Sequence, residues 1–502
     1  MTFLRTSRVR SARISAAADV PNSPAPPIWR PGLQAFVIAY LISVAIGTWA
    51  WLTTSSPGSL DIYLAVFWTL PILGSAIGMY GALRTWRRSR SGEREEDPEC
   101  VTSHQLIVVI PTIGRLDTLP ALERVLKSTR SCLPAYFSQF RIDVVIEADC
   151  EARSHIEALA RTDPYTHVVV VPASFQTVHR TRFKARANHY ANLVRLADGD
   201  VRDDVWVLHM DDDTDVRIDT AAELARFVTA QDNAGDQALD LCQGVLCYPR
   251  ELANNRLVWL ADAIRPGCDL SIFAATTGRG RPYAGLHGEL LMVRASVEGA
   301  IGWDFGPRTI VEDAQFALHF CARYPGRSGW IPARSYGASP ATASDFVKQR
   351  ERWVWGLLEL VTGRSQRYSS VFDVEGYPTN PSRRQGLLML HNTVVWACAP
   401  LGHPVTVLLL CLIMGSFQTS APFLALVPFW AFNAAYGVWL YWEGLKLNAL
   451  SSALPQRLWW EPICLLALAP VFTLWEVAGI VRGIWRFFTS RRPQFTVIPK
   501  LT

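Results

Sequence analysis

Asp211-Asp212-Asp213 ends the apolar run Val205-Trp206-Val207-Leu208-His209-Met210. An apolar run that stops at acidic residues reads as a buried strand opening into a site, because ligands in open α/β sheets bind beyond the carboxyl ends of the strands. If strand geometry persists, Asp211 and Asp213 project to the same side. Two carboxylates about 5 Å apart repel by roughly 1–3 kcal/mol at an effective dielectric of about 20–80. A divalent cation, Mn²⁺ or Mg²⁺, would turn that repulsion into binding, since hard cations take oxygen ligands. A solvated acidic turn is the plain alternative. About a hundred residues on, Glu312-Asp313 opens the helical pattern Ala314–Leu318, where either acid could serve as a cap. Gln349, Arg352, Trp353 and Gly356 then share one face of a helix predicted to begin near Ser344. Guanidinium pairs bidentately with phosphate, and an indole plane packs on a sugar ring. A charge-laced interfacial helix would show the same pattern. Upstream lies the basic run Arg180–Asn188. A nucleic-acid arm is one reading of such a run, but no nucleic-acid-binding motif accompanies it, and a diphosphate is the more economical anion.

Taken in order, K-A-R-A-N, D-D-D, E-D and Q-R-E-R-W resemble the motifs of family 2 glycosyltransferases. Within that family, K-A-R-A, H-M-D-D-D-T, V-E-D-A-Q-F and Q-R-E-R-W-V-W-G are most similar to the egghead-type β-1,4-mannosyltransferases. The resemblance covers Leu106 to Gly356. It implies an α/β GT-A fold, a Rossmann-like mixed sheet, inserted between transmembrane helices. It also implies inverting, metal-dependent transfer of a hexose, mannose included, from GDP-mannose or a UDP-hexose. Asp211 and Asp213 would hold the metal. Lys184, Arg186, Asp211 and Arg350 would bind the nucleotide sugar, with Thr112 and Asp149 at the base or ribose and His287 bordering the pocket. Asp313 would be the base, Arg352 would stabilise the leaving group, and Gln349 and Trp353 would line the sugars. The sequence departs from the family at the second strand, where Glu147-Ala148-Asp149 stands in place of two adjacent aspartates, which weakens the base-reading role. Two alternatives share these motifs: a processive β-polysaccharide synthase, and a membrane scaffold that has lost catalysis.

These residues need a sheet to hold them. Gln105–Ile110, Arg141–Ile146 and His167–Val171 read as further strands, and strands alternating with helical patterns imply a mostly parallel sheet covered on both faces. They occupy a domain over residues 100–365. Around it the chain is apolar: half of its residues are hydrophobic, 19% are charged, and 19 are tryptophan. Leu33–Thr53 and Leu60–Leu83 are each long enough to span a bilayer, for which about 20 apolar residues suffice. They define a hairpin at residues 32–90. Arginines precede it at positions 5, 8, 10 and 13 and follow it at 84, 87, 88 and 90, so the positive-inside rule places both ends, and the catalytic domain, in the cytoplasm. The implied protein is multi-pass, in the plasma membrane, with a lipid or glycan acceptor and no nucleic-acid partner; the net charge of +5 follows from these membrane-flanking clusters. Residues 1–31 read as a disordered basic segment. Residues 386–490 contain three apolar stretches, Gly386–Gly415, Ala421–Trp442 and Leu458–Phe488. Three full spans would put the basic tail, residues 491–502, on the wrong side, so one stretch is expected to be re-entrant, interfacial or a broken hairpin.

Overall fold

The structure, a computed structural model, describes residues 32–53, 69–90, 101–362, 383–401, 426–453 and 459–489. The expected N-terminal segment, the tail, and residues 60–68, 402–415 and 421–425 of the apolar stretches lie outside them. Eight strands form one sheet: β1 Thr102–Pro111, β2 Phe137–Glu147, β3 Thr166–Val171, β4 Val205–His209, β5 Asp215–Val216, β6 Leu241–Cys247, β7 Leu291–Arg294 and β8 Ser328–Tyr336, in the order β3-β2-β1-β4-β7-β6-β8-β5. The first four are parallel. The sheet then turns mixed, because β7 runs antiparallel to both β4 and β6. The four expected strands are therefore present and parallel. The remainder of the sheet comes from segments without a clear alternating pattern, being buried on both faces.

Two apolar layers cover the sheet. Alternate residues of β1, Leu106, Val108 and Ile110, face one layer with α3 (Leu119–Cys132), α4 (Arg153–Thr162) and α6 (Ile218–Asp232). Ile107 and Val109 face the other, with α5 (Phe183–Ala197), α9 (Ala295–Ile301) and α10 (Glu312–Arg323). This is the two-residue period of a strand applied to a sheet buried on both sides.

Helices from either end of the chain pack on this domain. Before it come α1 (Gln34–Thr53) and α2 (Ile72–Arg90). Within it, α7 (Arg256–Ala261) and α8 (Ile264–Cys268) lie between β6 and β7, and α11 (Ala343–Val361) follows β8. After it come α12 (Arg383–Leu401), α13 (Val427–Leu450) and α14 (Trp460–Thr489). Among the described residues, α14 alone is long and apolar enough to cross a membrane, and Gln34–Trp49 is a shorter apolar helical stretch. The domain's bond to these helices is polar as well as apolar. Arg250 pairs with Glu461 at 2.6 Å, and Asn448 accepts from the Tyr248 backbone N–H at 2.8 Å.

Candidate active site

The site forms where three chain segments meet at the carboxyl end of β4. On one side β1 runs parallel to β4, with Val109 opposite His209, so Thr112 arrives next to the acidic triplet; its hydroxyl donates to Asp212 Oδ2 at 2.6 Å. On the other side β7 is antiparallel, with Leu291 opposite His209. The loop entering β7, Gly285–Leu290, must therefore reach the same end. Gly288 sits in that loop against the lysine head: a Cβ there would displace Lys184 Nζ and lie 3.7 Å from Asp211 Oδ1. The Gly288 N–H donates to Asp313 Oδ2 at 3.0 Å, and Asp313 Oδ1 accepts from the Ala314 N–H at 2.7 Å.

Lys184 is the centre of this group. It hydrogen-bonds to Asp211 and lies 3.8 Å from Glu312 Oε1. Burial works against its ammonium form, but Asp211, Glu312 and Glu289 outweigh burial and raise its pKa above the ordinary lysine value. Glu312 is the mirror image. Burial pushes its carboxyl up to about 7; Lys184 opposes that rise, while Asp313 and Asp211 add to it. Glu312 is buried whereas its neighbour Asp313 is partly exposed, as the roughly 100° between successive helical residues requires. Beneath the triplet, Glu298 accepts from Arg195 at 2.7 Å and from Trp303 Nε1 at 2.6 Å, and lies 2.9 Å from His209 Nε2. Burial resists ionisation of Glu298, but Arg195 and His209 overcome it and hold the carboxyl at about 2.

A second chain of contacts links α11 to the same loop. His287 Nε2 is 2.7 Å from Asp269 Oδ1, and its Nδ1 is 2.6 Å from the Arg265 guanidinium. A guanidinium can only donate, so Nδ1 accepts and the ring carries its proton on Nε2. Arg265 in turn covers the Trp353 ring at 4.9 Å, and Arg350 lies over it at 4.6 Å. The residues of Gln349–Trp353 thus divide. Arg350 is buried and engaged by Asp262 at 2.6 Å, Gln349 at 2.7 Å and Glu476 at 2.8 Å. Arg352 and Trp353 are partly exposed.

Of the residues singled out by the sequence, Thr112, Lys184, Asp211 and Asp313 converge, with His287 one residue from Gly288. Others stand differently from expectation. β4 stops at His209 and Asp212-Asp213 form a turn, so strand alternation does not relate Asp211 to Asp213; Asp213 is buried, and Arg124 ties that turn down through the Asp213 carbonyl at 3.0 Å and Asp215 at 3.1 Å. Asp149 lies exposed on the turn after β2. Arg186 pairs with Glu147 and donates to the carbonyls of Pro172 and Phe175 at 2.9 Å, which makes it a brace for the loop after β3. Gly288 stands beside His287 at the pocket border, as the resemblance implies, whereas Arg265, Asp269, Glu298 and Asp262 belong to no motif in the sequence. Glu461 and Glu476 did carry a signal, as two acids inside an apolar stretch.

Among the described residues no group of three or more His, Cys, Asp or Glu side chains is arranged to hold a metal ion. The donor set of Asp211 and Asp213 still fits one kind of ion: Mg²⁺ and its like take one or two carboxylates and complete their shell with substrate phosphates.

Comparison with known proteins gives the same resemblance. The chain matches the family described as glycosyl transferase family group 2 over residues 206–441. It is 27% identical over 243 residues to the beta-1,4-mannosyltransferase egh of Drosophila melanogaster, covering 47% of this chain and 49% of that protein. It is 23% identical over 304 residues to the beta-1,4-mannosyltransferase bre-3 of Caenorhabditis elegans, covering 59% and 62%. The chain thus spans about half the length of the curated fly relative it matches. Among solved structures it is similar to the mannosyltransferase PcManGT of Pyrobaculum calidifontis in complex with GDP-Man and Mn²⁺, at 15% identity and a TM-score of 0.44, covering 83% of this chain and 99% of that one. The resemblance to family 2 glycosyltransferases, and within them to the egghead type, is therefore found by sequence comparison as well as by motif.

Proposed function

We propose that this chain is an inverting hexosyltransferase that moves a hexose, mannose among the candidates, from GDP-mannose or a UDP-hexose to a lipid or lipid-linked acceptor at a membrane. The convergence of Lys184, Asp211, Glu312 and Asp313 at the carboxyl end of β4 is the observation that carries this reading. Asp211 and Asp213 would hold Mn²⁺ or Mg²⁺ on the diphosphate; a bound ion offsets charge as the leaving group departs. Lys184 and Arg352 add fixed positive charge to the same side. Thr112 and Asp149 flank the nucleotide, and Gln349 and Trp353 the sugars. The acceptor oxygen attacks the anomeric carbon from the face opposite the diphosphate. The new carbon–oxygen bond forms as the bond to the diphosphate breaks, and the acceptor proton passes to Asp313. The Gly288 N–H keeps that carboxylate oriented beforehand.

One observation favours exchanging the two acids: Glu312, at about 7, is matched to proton transfer at neutral pH. Its burial against Lys184 favours the donor side, and Asp313, partly exposed, is the better placed acceptor of a proton. The exposed apolar faces of α1 and α14 support a membrane setting, with the catalytic domain on the cytoplasmic side of a multi-pass plasma-membrane protein. A nucleotide-sugar screen on the purified full chain with Mn²⁺ present tests the reading. A donor at 100 times its dissociation constant should add about 2.7 kcal/mol of stability, and single-hexose transfer to a lipid acceptor should follow by mass spectrometry. Stabilisation by no nucleotide sugar would favour the inactive scaffold, and long polymeric products would favour a processive synthase.

A further inference from the structure

We infer that α14, the one described helix apolar enough to cross a bilayer, lies in the plane of the membrane surface, clamped lengthwise between the catalytic domain and the lipid. The inference rests on the membrane reading above and goes beyond it. A crossing helix must leave its domain for about 20 residues, because the hydrocarbon core is about 30 Å thick. α14 leaves it nowhere. At its start Glu461 pairs with Arg250 at 2.6 Å. Leu465 and Phe472 pack among Val258, Trp259 and Phe346. Glu476 meets Arg350 at 2.8 Å. Gly479 and Gly483 let α11 approach so closely that a Cβ on either would strike Arg350 or Val354. Phe487 closes the series against Ile310 and Trp355. From Glu461 to Phe487 the contact runs about 39 Å at 1.5 Å per residue. Arg250, Arg350 and Ile310 belong to the sugar-nucleotide domain, which cannot be immersed in hydrocarbon along that whole length.

The opposite face identifies the occupant. Ile463, Leu466, Val471, Leu474, Val481 and Phe488 are exposed along it. Trp459 and Trp485, 79% and 67% exposed, stand near its two ends, where aromatic residues favour the membrane–water boundary. Both acids of the helix are turned inward and buried, while its two arginines, Arg482 and Arg486, are exposed and share the single carboxylate of Glu351 at 2.9 and 3.1 Å, which leaves one net positive charge beside the stripe. An apolar stripe with basic charge beside it suits an anionic lipid surface. The arrangement also resolves the parity of the C-terminal region. α12 starts against the domain, with Met389 packed on Val311 and Leu318, and α13 ends against it, with Asn448 bonded to Tyr248. An in-plane α14 then keeps its own C-terminal end, at Arg486 and Phe487, on the domain side.

Depth measurement on the full chain in liposomes containing anionic lipid tests this. A fluorescent amino acid is placed in turn at Ile463, Leu474, Val481 and Phe488, and at Ile42 on α1, and quenched by lipids brominated near the headgroup or near the chain ends. The four α14 positions should be quenched within about twofold of one another by the shallow lipid and several-fold less by the deep one, as for a helix about 5–10 Å into the boundary. A profile in which Leu474 is reached best by the deep lipid and the ends by the shallow one would overturn the inference. So would α14 positions that no lipid reaches while Ile42 is quenched, which would mean that protein, such as a second copy, covers the stripe. If Ile42 also escapes both lipids, the membrane reading itself fails, and this inference with it.

Discussion

Arg350 and Arg352 are two residues apart but differ in burial, and the separate tasks proposed for them can be distinguished by substitution. Arg350 is buried, with its guanidinium bonded to Asp262, Gln349 and Glu476. Removing it strands two carboxylates, Asp262 wholly buried and Glu476 nearly so. Breaking a buried pair by deleting one partner costs about 3–5 kcal/mol, because the remaining charge has no compensation. Arg350→Ala should therefore destabilise the protein by about that amount, or about 6–20 °C in apparent melting temperature at the 2–4 °C per kcal/mol usual for domains of this size. Removing Glu476 as well should recover part of the loss, since one stranded charge goes with it. Arg352→Ala, at a partly exposed position, should leave stability within about 1 kcal/mol while weakening donor binding. Thermal unfolding followed by intrinsic fluorescence, with donor affinity measured separately, gives both quantities. If Arg350→Ala melts like the parent yet loses donor affinity, its guanidinium serves the nucleotide sugar, and the buried-hub argument is wrong.

Asp211→Asn and Asp213→Asn should each abolish transfer and weaken donor binding in Mn²⁺ buffer; equal donor affinity of the parent with and without EDTA would remove the metal role. Gly288→Ala drives a methyl group into Lys184 and toward Asp211, so turnover should fall more than tenfold, about 1.4 kcal/mol of barrier, and a near-normal rate would show that the loop can yield. Asp313→Asn should leave donor affinity within about threefold and lower transfer about a thousandfold, about 4 kcal/mol, whereas Glu312→Gln should cost much less; the reverse ranking would exchange their roles. The carboxyl of Glu312, raised in the folded state to about 7, favours folding fully below its unfolded pKa and progressively less as pH rises through 7. Without metal, the parent should lose stability between about pH 5 and 8 and Glu312→Gln should lose less, which urea titrations at several pH values would register.

The sequence announced the half of the sheet that carries the acidic triplet. Val205–Met210 and its three parallel partners are long apolar runs that end in polar residues, so both their structure and their open ends were readable. Of the other half only the run Cys242–Cys247 looks strand-like in the sequence, for a physical reason. β6 and β7 are buried on both faces and flanked by short helices, leaving neither alternation nor amphipathic period to read. Yet β7 decides the site, because its antiparallel register against β4 delivers Gly288 to Asp211 and Asp313. A register is a long-range fact with no local signature beyond two glycines around His287.

The same limit governs which charged groups act and which support. Lys184, Arg186 and Arg350 are alike as letters in basic motifs, and the resemblance assigned all three to the nucleotide sugar. What separates them is the partner each finds across the fold: Asp211 and Glu312 for Lys184, Glu147 and two loop carbonyls for Arg186, Asp262 and Glu476 for Arg350. A guanidinium braced on three sides in a dry interior is poorly placed to follow a substrate. An ammonium on a flexible stem, held among carboxylates at a strand end, can exchange partners when a diphosphate arrives. Burial of Arg350 has a consequence of its own. Glu476 belongs to α14, and Trp353, another neighbour of that guanidinium, reaches His287 through Arg265. One arginine thus joins α14, the helix proposed to face lipid, to the loop whose Gly288 N–H holds Asp313.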